Sequence, residues 1–203
     1  MVSLLSKRSR TKLYDGRWTG QCDRDYVLYI FGARLNRPWK VRPLFRAVLY
    51  AYKMRTWLLR NPQHGMIHAE RGIVHGCPVV ISYWRSFDEL EAFSRDSNLL
   101  HVPAWKWYMS TVHKTGDFGF WHEMYQVHAA ESSGIYAHMP RVGVARIGQH
   151  AAITRGTQTA AERMRLRQEG MTYGEVLDNA ASENGRGDRA SGDPVTTTSD
   201  GDA

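Results

Sequence analysis

The middle of the chain carries two strand patterns with helical segments between them, and this order constrains the fold most. Residues 78–84 form an apolar run rich in β-branched side chains, which is typical of a buried strand. Ser86 and Glu89 have the spacing of a capping box, so we expect a helix to begin there. A second helical segment begins at His101, and residues 119–127 return to a strand pattern.

The preceding residues supply the other half of the arrangement. Residues 25–34 are apolar on both faces, which predicts a central strand. A helix is expected over residues 43–59 and a strand over 66–74, which should pair with the following strand as a hairpin. The helical pattern consists of Leu44, Val48, Ala51, Arg55 and Leu58. The order strand, helix, strand, strand, helix, strand predicts an α+β, ferredoxin-like βαββαβ fold with one antiparallel sheet.

Oligomeric state follows from how this sheet would be covered. Helices lie on one face only, whereas the strand patterns are apolar on both faces. The second face therefore needs another cover, and a second copy of the same sheet is the simplest one. We expect a homodimer built as an α+β barrel.

Domain organisation is expected to be simple, because 203 residues can bury one substantial core. Residues 1–24 are predicted to be a flexible basic arm, and residues 25–150 the ferredoxin-like domain. Residues 135–145 are interpreted as an ordered loop that crosses the pocket mouth. Residues 151–203 should contain a short helix over 160–168 and then a disordered acidic tail.

Composition excludes several classes of protein. No apolar run reaches about 18 residues, and no apolar segment follows the basic N-terminus, so we expect neither a transmembrane segment nor a secretory signal. Cytoplasmic localisation is the default expectation. Cys22 and Cys77 have no partner motif and are predicted to be reduced. Neither a zinc-binding helix motif nor a Rossmann glycine pattern is found.

Positive charge is concentrated in the predicted domain. Residues 25–150 hold 15 Lys and Arg against 9 Asp and Glu, and residues 151–203 hold 6 against 9. Eight cations lie between Arg34 and Arg60 with no acid among them. Such a cluster can meet nucleic acid, an anionic membrane or an acidic partner, or it can be a solvated helix face. No nucleic-acid motif accompanies it, so no nucleic-acid partner is expected.

Four stretches of the chain carry a family resemblance. They are residues 83–93, 101–105, 119–125 and 136–143. These residues resemble the antibiotic-biosynthesis monooxygenase superfamily of dimeric α+β barrels. Residues 101–105, 119–125 and 136–143 resemble more closely the monooxygenase-like family that includes the fumagillin-pathway monooxygenase. Over about residues 20–150, the resemblance implies this fold, a dimer and an oxygenase-type pocket between sheet and helices. The aromatic content of 11% supports an oxygenase that acts in this pocket on a hydrophobic small molecule of the secondary-metabolite type.

His101 is the first candidate catalytic residue. Trp105 and Tyr108 follow it by four and seven positions and share its helical face. A neutral imidazole among aromatic rings can remove an acidic proton from a substrate, and the resulting carbanion can react with dioxygen without a cofactor. The alternative is structural, with His101 capping a helix or bonding a backbone carbonyl.

His122 and Glu123 are the other catalytic candidates. Strand alternation places Phe120, His122 and Met124 on one face, and Trp121, Glu123 and Tyr125 on the other. Glu123 is either a second acid–base group or half of an ion pair at a subunit interface. The candidate substrate-binding residues are Trp84, Phe93, Trp105, Tyr108 and Tyr125. His68 and Glu70, two apart on one strand, are interpreted as a solvated pair.

No cofactor or metal is predicted, and haem is retained as an alternative. Haem-degrading and aldoxime-dehydrating proteins are built on a similar barrel and use a histidine ligand. In that case His101 would be the ligand, with Arg34, Arg37 or Arg42 near the propionates. A second alternative is a non-catalytic binding dimer in which the histidines are structural.

Overall fold

A computed structural model describes residues 12–171 and residue 175, and it contains two antiparallel sheets and five helices within that part of the chain. The strands are β1 (Tyr14–Gln21), β2 (Tyr26–Leu35), β3 (Met66–Val74), β4 (Cys77–Trp84), β5 (Phe118–Val127), β6 (Gly134–Met139) and β7 (Gln149–Ala152). The helices are α1 (Val41–Arg60), α2 (Phe87–Arg95), α3 (His101–Thr111), α4 (Val144–Ile147) and α5 (Ala160–Gln168). Short 3₁₀ turns lie at Pro62–His64 and Ala129–Glu131.

The central sheet confirms the predicted ferredoxin-like fold. Its strand order is β3-β4-β2-β5, and every neighbouring pair is antiparallel. The β3–β4 hairpin turns at His75 and Gly76, which both have positive φ. Such backbone angles match the right-handed twist of the strands that enter and leave the turn. The strand order brings β2 between β4 and β5, so side chains from all three strands share one face.

Helices α1, α2 and α3 cover one face of this sheet and build its main core. Buried side chains from sheet and helices meet in one cluster, among them Val27, Leu58, Trp84, Leu90 and Phe93. The predicted helical face of α1 is partly wrong, because Val48 is 39% exposed. Its inward positions lie one residue earlier, at Ala47, and then at Ala51, Met54 and Leu58.

Helix α2 begins where the sequence predicts. The Glu89 amide donates to Ser86 Oγ at 3.2 Å, so the serine caps the helix. The expected return bond from the Glu89 carboxylate is not made. This carboxylate instead accepts from Arg85 Nε at 3.1 Å, because the guanidinium offers a charged donor at the same place.

A second sheet, with the order β6-β1-β7, is the main departure from the sequence prediction. Residues 14–21, expected in a flexible arm, form β1, and residues 134–139, expected in a loop, form β6. Each strand is held by partners more than 100 residues away, such as Trp18 opposite Tyr136 and Ala152. Non-local pairing of this kind leaves no local pattern in the sequence.

The second sheet packs on the outer face of the central sheet, away from helices α1 to α3. The Gly143 amide donates to the Glu70 carboxylate at 2.8 Å, and the Ala145 amide donates to the Tyr136 hydroxyl at 3.3 Å. Tyr83 and Ile147 join a core cluster between the two layers. Residues 135–145 therefore cover the outer face and do not cross the mouth of a pocket on the helical side.

The remaining predictions about the ends of the chain have mixed outcomes. Helix α5 occupies residues 160–168 as expected, and its Thr159 and Glu162 form a capping box. The predicted disordered tail lies outside the described residues. Cys22 and Cys77 are both free. Within the described part of the chain, no helix has the length and apolar character needed to span a membrane.

Candidate functional site

A cavity of about 520 Å³ lies between the helices and the inner face of the central sheet. This volume is in the range of small-molecule sites in proteins, roughly 300–1,000 Å³. Its walls are mostly aromatic and aliphatic, with a few polar groups among them. The predicted residues that line it are Trp84, Phe93, His101, Trp105, Tyr108 and His122.

Strand β5 contributes one of its faces to the cavity, as the alternation predicted. Phe120, His122 and Met124 line the cavity, and His122 lies on the exposed part of this edge strand. Glu123 and Tyr125 do not line it, because neighbouring strand residues point to opposite faces. On the outer face, the Tyr125 hydroxyl donates to Glu123 Oε2 at 2.7 Å, and this bond raises the pKa of Tyr125.

His101 stands at the first position of α3, in the cavity wall. Its Nδ1 is 2.8 Å from the Ser94 carbonyl oxygen. A carbonyl can only accept, so Nδ1 carries a proton, and in the tautomer that this bond favours the lone pair is on Nε2. No described protein group is hydrogen-bonded to Nε2. The sequence analysis left two roles open for His101, a place in the pocket and a bond to a backbone carbonyl. In the structure, His101 has both.

One aromatic ring lies against that of His101, and further aromatic rings line the same cavity. The Phe93 ring centroid is 6.2 Å from that of His101 and 5.8 Å from that of Trp84. Trp105 and Tyr108 stack at 5.9 Å on the same helix. Both rings project to one side because they are three residues apart in a helix. Four of the five aromatic residues predicted to bind substrate, Trp84, Phe93, Trp105 and Tyr108, thus form part of the apolar cavity wall.

Trp84 is fixed by a short chain of hydrogen bonds behind this wall. Its indole Nε1 donates to Ser82 Oγ at 3.0 Å, and Ser82 Oγ donates to the Tyr29 carbonyl oxygen at 3.3 Å. Ser82 and Trp84 are each 3% exposed. The chain satisfies a buried donor and sets the orientation of the indole.

Tyr29 is a cavity residue that the sequence analysis missed. Burial raises the pKa of its phenol to about 12, so the hydroxyl stays protonated and can donate a hydrogen bond. No described protein group accepts from this hydroxyl, and the ring lies 5.7 Å from that of His122. Tyr29 is opposite Met124 and Ser82, which both line the cavity. Extending the alternation of β5 to β2 through this register would have identified it.

Arg55 is the second residue that was missed, although it falls within the apolar pattern predicted for α1. Its Nε and Nη2 donate to the Ala69 carbonyl oxygen at 3.1 and 2.9 Å. Burial lowers the pKa of its guanidinium, with Arg71 adding to the effect. Among the described residues, Arg55 is the one lysine or arginine that lines the cavity. The signal in the sequence was an arginine at a position that the helical pattern predicts to face inward.

The arginines suggested for haem propionates are elsewhere. Arg34, Arg37 and Arg42 are exposed and do not line the cavity. Arg37 instead pairs with Asp117 at 3.2 Å. These arginines lie close in sequence to β2 and α1, which contribute to the cavity, but their side chains do not point into it. Among the described residues, no group of three His, Cys, Asp or Glu side chains is placed to hold a metal ion.

His68 and Glu70 are not a fully solvated pair. His68 Nε2 lies 3.5 Å from Glu70 Oε1, and both side chains are about three-quarters buried, with 22% and 27% exposed. Burial lowers the pKa of His68, whereas the neighbouring Glu70 opposes this shift. Because Glu70 also holds the Gly143 amide, the pair belongs to the contact between the two sheets.

Similar solved structures share this fold. An aldoxime dehydratase in complex with butyraldoxime is 16% identical, with a TM-score of 0.52, over 71% of this chain and 46% of that chain. A second aldoxime dehydratase structure is 17% identical, with a TM-score of 0.52, over 70% of this chain and 42% of that one. This chain thus spans less than half the length of either.

Sequence comparison assigns the family. No curated protein matches the chain. The profile of one family, described as Monooxygenase af470-like, matches residues 26–144, which include β2 to β6 and every residue placed in the cavity wall above. This chain belongs to the Monooxygenase af470-like family.

Proposed function

We propose that this protein oxidises a hydrophobic small molecule of the secondary-metabolite type with dioxygen, in the cavity between sheet and helices. The observation that carries this proposal is the placement of His101. Its Nδ1 is tied to the Ser94 carbonyl, and its Nε2 is left without a protein partner in an aromatic cavity. A fixed tautomer with a free lone pair is what a general base requires.

The proposed reaction begins with proton transfer. His101 Nε2 removes a proton from an activated methylene group of the substrate, leaving a carbanion stabilised by its neighbouring rings. The carbanion supplies the electrons that reduce dioxygen, and a carbon–oxygen bond forms to give a peroxide anion. That anion takes the proton back as a hydroperoxide. Removal of the second proton of that carbon, with cleavage of the O–O bond, then leaves a carbonyl group, and the released hydroxide takes up that proton and leaves as water. The methylene loses four electrons in all and dioxygen accepts all four, so no external reductant is consumed.

Other cavity residues have supporting roles in this proposal. The apolar wall of Trp84, Phe93, Trp105 and Tyr108 would hold the substrate rings and exclude water. The protonated Tyr29 hydroxyl and the His122 ring would donate hydrogen bonds to oxygen atoms that gain negative charge. Glu123 faces away from the cavity and is left out of the chemistry.

Replacing His101 by asparagine tests the proposal. The Asn amide nitrogen can replace Nδ1 as donor to Ser94, whereas nothing replaces Nε2. Oxygen uptake with apolar polycyclic compounds that carry an activated methylene should fall by about 10²-fold or more. The matched control is His75→Asn, at an exposed hairpin turn with φ 49° that asparagine tolerates. Uptake that survives His101→Asn would contradict the role of this ring.

A haem enzyme is the second candidate, and one observation favours it. Histidine ligands commonly donate their other ring nitrogen to a backbone carbonyl, as His101 does to Ser94. Arg55 would then be the cation for a propionate, and the haem would supply the redox or Lewis-acid chemistry. An absorption spectrum of the purified protein separates the two candidates. A Soret band that is lost in His101→Asn would replace the cofactor-free proposal.

We also infer a homodimer, a single catalytic domain over about residues 25–150, and cytoplasmic localisation. The second sheet covers only part of the outer face, and at β5 Trp121 and Tyr125 remain 37% and 47% exposed. A second copy packing here would bury both. Substituting both residues with serine should give a monomer in sedimentation analysis, whereas Trp39→Ser, at an exposed tryptophan elsewhere, should not. A non-catalytic dimer would show no turnover, and His101→Asn would leave the mass of the dimer unchanged.

A further inference from the structure

Helix α1 carries an apolar stripe on its outer face. Val41, Phe45, Val48 and Tyr52 are spaced by four, three and four residues, which places them on one side of the helix. These four side chains are 39–65% exposed. Trp39, just before the helix, is 76% exposed. None of these five side chains belongs to a hydrophobic cluster of the described residues or packs against one. The stripe is therefore an unpartnered apolar surface.

Cations flank this stripe. Arg42, Arg46 and Lys53 each follow a stripe residue by one position and are exposed. On the other side, the Arg71 guanidinium of β3 lies 5.8 Å from the Tyr52 ring centroid. The sequence has no Asp or Glu from residue 26 to residue 69. The surface therefore combines exposed apolar and aromatic side chains with positive charge that no nearby acid in the sequence neutralises.

This combination selects among occupants. A second copy of the chain would bring the same cations against these cations, and like charges across an interface are unfavourable. A nucleic acid would satisfy the cations and leave the apolar stripe in water. An anionic bilayer offers both a negative surface and an apolar boundary just below it. Exposed Trp, Tyr and Phe side chains also favour that boundary.

We propose that the outer face of α1 docks this protein on an anionic lipid bilayer. The stripe enters the boundary between headgroups and acyl chains, and Arg42, Arg46 and Lys53 lie against the anionic headgroups. The helix lies in the plane of the surface and does not cross it. The inner face of the same helix lines the cavity. The docking does not depend on which reaction the cavity performs.

Vesicle sedimentation of the full chain tests the proposal. At about 0.1 M salt, the protein should sediment with phosphatidylcholine vesicles that contain phosphatidylserine, and much less with phosphatidylcholine alone. Arg42→Gln, Arg46→Gln and Lys53→Gln together should weaken binding about five-fold per cation, or roughly a hundred-fold in all. Phe45→Ser with Val48→Ser should weaken it at least about ten-fold.

A matched triple variant controls for net charge. Arg24→Gln, Lys114→Gln and Arg155→Gln remove three exposed cations outside α1 and should bind within about two-fold of the wild type. The proposal is overturned if the wild type binds neither vesicle, if both vesicles bind it equally, or if the stripe variants bind like the wild type. It is also overturned if Phe45→Ser with Val48→Ser converts a dimer to a monomer, because the stripe then belongs to a second copy.

Discussion

Ser82→Ala would break the hydrogen-bond chain behind the cavity wall. Ser82 Oγ accepts from Trp84 Nε1 at 3.0 Å and donates to the Tyr29 carbonyl oxygen at 3.3 Å. Alanine removes both bonds and leaves the indole N–H, in a residue that is 3% exposed, without an acceptor. An unsatisfied buried donor costs about 1–3 kcal/mol, so the free energy of unfolding should fall by about 2 kcal/mol. For a chain of this size, Tm should fall by about 4–8 °C.

Urea denaturation followed by tryptophan fluorescence measures this loss. The matched control is Ser110→Ala, because Ser110 Oγ is exposed and donates to the Trp107 carbonyl oxygen within the same helix. That change should stay within about 0.5 kcal/mol. In a Trp84→Phe background, Ser82→Ala should cost about 1 kcal/mol less, because no indole donor is left unpaired. An equal cost in both backgrounds would refute the reasoning.

Two further predictions concern histidines outside the cavity. The Ala129 amide and His128 lower the pKa of Asp25, and the bond to Asp25 raises the pKa of His128. The stability that Asp25 contributes to the folded state is lost as the pH falls through its lowered pKa. The stability that His128 contributes is lost as the pH rises through its raised pKa. His128→Gln should therefore lower Tm at about pH 5.5 and lose its effect well above pH 6.5, and a pH-independent effect would contradict this. His150 stacks on Trp18 at 4.9 Å with both ring nitrogens buried and without a partner among the described residues. His150→Phe should raise the free energy of unfolding by about 1 kcal/mol in urea titration, and a loss of stability would indicate an unseen partner.

The order of strands and helices was determined by the sequence over residues 25–127. Each of these elements has a strong periodic pattern and a clear stop, such as the turn at His75 and Gly76. The same periodicity correctly placed His122 and Glu123 on opposite faces of β5. Local spacing fixes how a side chain points relative to its own strand or helix. That is why His101, Trp105 and Tyr108 were found as one group.

Tertiary structure decided what lies opposite each face. The second sheet pairs β1 with strands more than 100 residues away, so neither its existence nor its position on the outer face could be read locally. Tyr29 and Arg55 enter the cavity because β2 lies beside β5 in the central sheet and α1 packs on that sheet next to α3. Val48 shows the same limit, since a helical repeat indicates that a face is apolar without saying whether protein or solvent meets it. Burial is a property of two surfaces, and the sequence of one element describes only its own.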